Sequence, residues 1–83
     1  MPIDIPDSLK PTLRILPPAL IKKMDRVLTR LMKDPFPADL SIQELELAPG
    51  FKVYAILVDG YRLIYRPLPD SNIILLCGIG KIE

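Results

Sequence analysis

The chain has 83 residues, 49% of them hydrophobic and 25% charged, with a net charge of +1 at pH 7. That length admits one domain, residues 1–83, and so much apolar content excludes a disordered chain. The near-neutral balance names no ligand, so a nucleic-acid role would need a local basic face.

With no histidine and a lone cysteine, Cys77, the sequence argues against an internal disulfide and against a zinc site, and no cofactor is expected. An unpaired thiol suits a reducing cytoplasm. The opening "MPIDIPDSLK" lacks the basic-then-apolar order of a signal peptide, and no apolar run is long enough to span a bilayer.

Residues 2–6, "PIDIP", alternate apolar and polar between prolines and fit a short edge strand or an extended arm. Ser8 is the expected N-cap of a short helix reaching Leu16, with Pro11 in its first turn. Pro17 and Pro18 break the chain and restart it. From Ala19 to Lys33 the periodicity is helical. Leu20, Ile21, Met24, Val27, Leu28, Leu31 and Met32 form one apolar stripe. The opposite side carries Lys22, Lys23, Arg26, Arg30 and Lys33 against the single acid Asp25. "DPFPADLS" then ends the helix in a loop.

The remainder predicts sheet: "IQELEL" (42–47), a turn at "PG", then "FKVYAILV" (51–58), "YRLIYR" (61–66) and "IILLCGI" (73–79). Asp59-Gly60 is a strong signal for a two-residue type I′ hairpin. Such a turn sets Leu57 opposite Arg62 and Tyr54 opposite Tyr65. Tyr54, Ile56, Val58, Tyr61, Leu63 and Tyr65 then share the face expected to meet the helices. Val53, Ala55, Leu57, Arg62, Ile64 and Arg66 share the other. The last strand is read as central and buried, with Cys77 a small core hydrophobe. The expected fold class is α+β, two N-terminal helices on one face of a small, twisted, mostly antiparallel sheet.

The stretches "LPPALIKKMDRVLTRLMKDPF", "YRLIY" and "IILLCGIGK", in that order, resemble the RelE/ParE toxin superfamily over about residues 8–82. The resemblance implies a toxin of a type II toxin–antitoxin pair, with a cognate antitoxin as partner. RelE-like members cut mRNA on the ribosome, ParE-like members poison gyrase, and a decayed homologue would keep the fold alone. A homodimer is also compatible with it. By the same resemblance Arg62 matches a working arginine of the YoeB branch, and Lys81 follows the glycines of "GIGK". Phosphodiester transfer to a ribose 2′-OH needs a base, cations at the phosphate and an acid for the leaving oxygen. Here the family's catalytic set is depleted. Gln43 stands where that branch has a glutamate, Leu57 and Ile82 stand where RelE has arginines, and no histidine is present. The candidate catalytic residues are therefore Arg62 and Lys81, and any cleavage is expected to be weak.

Each candidate has an ordinary reading as well. For Arg62 it is a structural ion pair with Glu44 or Glu46 on a neighbouring strand, and that is the expectation adopted. Arg66 reads as a solvated charge near a strand end. Lys22, Lys23, Arg26, Arg30 and Lys33 read either as a nucleic-acid ridge or as the wet side of an amphipathic helix, the second being expected. The three tyrosines are expected in the core.

Overall fold

The computed structural model describes residues 1–82. Strand β1 (Ile3–Asp4) leads through a 3-10 turn (Asp7–Leu9) into helices α1 (Lys10–Arg14) and α2 (Pro18–Lys33). Strands β2 (Ile42–Ala48), β3 (Phe51–Val58), β4 (Tyr61–Leu68) and β5 (Ile73–Lys81) follow. They form one sheet in the order β1-β5-β4-β3-β2. Every pairing is antiparallel except that of β1 with β5. The class is α+β, as expected, with a mixed sheet.

Ser8 does not cap the first helix. It lies inside the 3-10 turn, where the Leu9 amide donates to the Pro6 carbonyl at 3.0 Å, and α1 is a single short segment ending at Arg14. Helix α2 begins with Pro18, whose missing N–H costs nothing in a first turn. It ends because Asp34 precedes Pro35 and is driven to extended backbone (φ −149°, ψ 111°). The Asp34 carboxylate then accepts the Phe36 amide at 3.0 Å and fixes the exit.

The hairpin forms as predicted. Asp59 (φ 49°) and Gly60 (φ 78°) supply the two positive dihedrals of a type I′ turn. The register sets Leu57 opposite Arg62 and Tyr54 opposite Tyr65. Strand β4 runs past Pro67, which the sequence reading had placed in a loop. Proline is tolerated there because the described pairing with β3 stops at Tyr65, so no ladder bond is lost on that side.

One face of the sheet buries Ile56, Val58, Leu63, Tyr65, Ile74 and Leu76 against Leu16, Leu20, Met24 and Leu31 of the helical layer. The α2 stripe is wider than the sheet can cover. Ile21 and Met32 remain exposed, and Val27 and Leu28 are half-buried. Tyr65 is fully buried, and its hydroxyl donates to the Pro35 carbonyl at 2.6 Å, joining the sheet to the loop after α2. Burial pushes the Tyr65 phenol up to about 12.

Cys77 is exposed, which corrects the expectation of a buried thiol. The β4–β5 register steps from Ile64–Gly78 to Tyr65–Leu76, so Cys77 is the unpaired extra residue of a bulge. Nor is β5 buried along its length, because β1 covers it only at Ile74 and Leu75.

Candidate functional site

The helices cover one face of the sheet and leave the other open. Strand alternation and register place Phe51, Val53, Ala55 and Leu57 of β3 on the open face. Gln43 and Leu45 join them from β2, and Arg62, Ile64 and Arg66 from β4. Val53 and Ala55 are nonetheless 1% and 3% exposed, so they form an apolar floor walled by longer neighbours. Arg62 faces Gly80 and Ile64 faces Gly78 across to β5. Neither glycine offers a side chain, and a Cβ at Gly80 would meet nothing within 4 Å. The result is a shallow cavity of about 370 Å³ lined by Arg62, Ile64, Gly80, Lys81 and Ile82.

Arg62 is half-buried at the base of that cavity, and among the described residues it has no acid partner. Its Nε is buried and makes no hydrogen bond. The expected pairing with Glu44 or Glu46 does not occur, for a topological reason. Strand β3 lies between β2 and β4, and Glu44 sits opposite Tyr54, hence on the helix-side face. Glu44 instead meets Lys52 at 3.5 Å, and Glu46 accepts the Gly50 amide at 3.3 Å. An unsatisfied buried donor costs about 1–3 kcal/mol, more when charged. Leaving Nε without a partner is therefore a standing cost to the fold.

Lys81 pairs with Tyr61 at the end of β5, adjacent to the Arg62–Gly80 pair, and reaches the cavity from the strand terminus. Arg66 lies further along β4, with its Cζ 4.3 Å above the centre of the Phe51 ring. It is thus a stacked guanidinium and not merely a solvated charge. Cys77 is close enough to feel it. Burial raises the thiol above its ordinary value, and the Arg66 charge works in the opposite direction.

The sheet separates this group from the basic residues of α2. Lys23 is bound to Asp59 of the hairpin turn at 2.5 Å, and Arg30 to Asp39 of the loop after the helix. The hydrogen bond from Arg30 holds the Asp39 carboxyl below its usual range. Lys22, Arg26 and Lys33 are exposed and make no ion pair among the described residues. Two of the five ridge cations thus have acid partners within the fold. The sequence reading places Val53 and Ala55 on this face but does not single out Phe51. The one available signal was Phe51 at the same strand parity as Arg62.

No described helix is long and apolar enough to cross a membrane, and the described residues hold no group of side chains suited to a metal ion. No protein-family model and no curated protein matches the sequence. Solved structures do match. The archaeal RelE–RelB complex from Pyrococcus horikoshii OT3 contains a chain of TM-score 0.82 and 20% identity, the match covering 96% of this chain and 92% of that one. The isolated E. coli RelE toxin gives TM-score 0.79 at 20% identity, over 99% of this chain and 84% of that one. The intact E. coli RelBE toxin–antitoxin complex gives 0.67 at 16%, over 99% and 96%. The chain has the RelE toxin fold.

Proposed function

We propose that this chain is the toxin of a toxin–antitoxin pair, and that its open sheet face holds the phosphate backbone of RNA. The observation that carries the reading is Arg62, a half-buried arginine with no acid partner among the described residues, lining a cavity with Lys81. Two cations there would stabilise charge accumulating on a phosphate during attack by a neighbouring 2′-OH. The proton transfers are less well served. Among the described residues Lys81 is the only lysine lining the cavity, and no acidic residue lines it. Slow ribosome-dependent cleavage is the activity this arrangement supports. The antitoxin, by analogy with the RelB-bound structures, would cover exposed apolar surface and the Arg62 face.

Induced expression in bacteria tests the reading, together with mapping of mRNA 5′ ends in a translation reaction containing purified protein. Growth arrest with new 5′ ends in ribosome-bound codons, both lost in Arg62→Met, is the expected result. Growth arrest with intact mRNA and inhibited gyrase supercoiling would overturn it in favour of a protein-directed toxin.

A further inference from the structure

Neither Phe51 nor Arg66 lines the Arg62 cavity. Phe51 is 40% exposed at the start of β3, outside the main core, and Arg66 makes no ion pair among the described residues. One side of the guanidinium rests on the ring at 4.3 Å, leaving its hydrogen-bonding edge without an acid. On the same face, four residues along β4, lies the cavity of Arg62, a separation of about 13 Å at strand rise. Between the two stand Val53, Ala55 and Ile64. The face therefore carries a cation at one end, an apolar strip, and a flat cationic stack at the other.

The charge pattern selects the occupant. Among the described residues, the only acid that the register places on this face is Asp4, on β1, two strands from Arg66. A polyanion can lie along β4 without meeting a carboxylate of the described strands. The apolar strip is poor ground for phosphates but suits the faces of unpaired bases. A guanidinium seated on an aromatic ring is a surface on which a base can stack while its edge is hydrogen-bonded. We propose that Phe51 and Arg66 form a stacking platform for one unpaired nucleobase of the RNA whose phosphate sits at Arg62. This rests on the reading of the open face as an RNA site and adds to it a base-contacting element.

The test uses the full chain and a single-stranded RNA hexamer, in versions carrying 2-aminopurine or an abasic residue at each position in turn. Binding of the wild type should quench 2-aminopurine at one or two positions. Phe51→Leu removes the ring, and Arg66→Lys keeps the charge but removes the planar surface. Each should relieve the quenching and weaken binding about tenfold, within the range known for one stacked base. Neither should change the affinity for the hexamer that is abasic at the quenched position. Circular dichroism establishes that both variants fold. If the wild type binds the hexamer but no position is quenched, or if both variants bind like the wild type, the platform is overturned and the phosphate site stands. If the wild type does not bind RNA at low salt, or if Arg62→Met leaves binding intact, the RNA reading falls and takes the platform with it.

Discussion

Replacing Arg62 by methionine separates a structural arginine from a functional one by the sign of the stability change. An arginine held by a buried acid would leave that acid uncompensated when removed, at a cost of about 3–5 kcal/mol. Among the described residues Arg62 meets no acid, and its Nε is buried without a partner. Methionine keeps most of the apolar stem that borders Ile64 and the cavity, and deletes the unsatisfied donor. Removing that donor recovers part of about 1–3 kcal/mol, and some packing is lost in exchange. Arg62→Met should therefore be neutral or stabilising by up to about 2 kcal/mol, with toxicity abolished. Urea denaturation reads the change as a midpoint shift at constant slope. A second arm adds inorganic phosphate, which should raise the wild-type midpoint by mass action and leave the variant unmoved. Destabilisation of about 3–5 kcal/mol at constant slope would refute the account of an orphaned guanidinium, because a loss of that size is what breaking a buried ion pair produces.

Leu31→Ala, at a fully buried site on α2, should cost about 2–5 kcal/mol, and Leu28→Ala, half-buried at the stripe's margin, roughly half as much; the reverse order in urea unfolding would misplace the core. Gly60→Ala should cost about 1–2 kcal/mol, since φ is 78° there, and equal stability would contradict the type I′ turn. Stability should fall as pH rises from 10 toward about 12, because the unfolded chain has lost a phenolic proton that buried Tyr65 retains. Tyr65→Phe should flatten that fall and cost about 1 kcal/mol for the bond to the Pro35 carbonyl, as urea midpoints across the pH range will show.

The parts of the fold legible in the sequence are those fixed by local chemistry. Asp59-Gly60 dictates its own turn, and the turn dictates which residues face which across β3 and β4. The α2 helix is bounded by prolines at both ends and patterned along its length. What failed depended on distant partners. Pro67 looked like a strand terminator, but its tolerance depends on where the β3 pairing stops. Cys77 sat in an unbroken apolar run, and nothing local announces that β5 carries one residue more than β4 can pair. The α2 stripe includes Ile21 and Met32, which stay exposed, because the width of a stripe does not reveal the width of the sheet beneath it.

The site divides along the same line. Strand parity alone put Arg62 and Arg66 on one face, and the structure keeps them there. The partner of Arg62 was misjudged because alternation in "IQELEL" says which residues share a face but not which face, nor which strand is the neighbour. Once β3 intervenes and Glu44 turns toward Lys52, neither Glu44 nor Glu46 is placed to pair with Arg62. The helix cations moved the opposite way. Lys23 and Arg30 acquired structural partners in Asp59 and Asp39, which the sequence holds thirty-six and nine positions away. Net charge is nearly balanced, so a cation's availability depends on how the fold distributes the acids. Asp39 and Asp59 end up on the helix cations and Glu44 on Lys52, and none reaches the open face. That allocation, more than the number of arginines, makes the β4 face attractive to a polyanion.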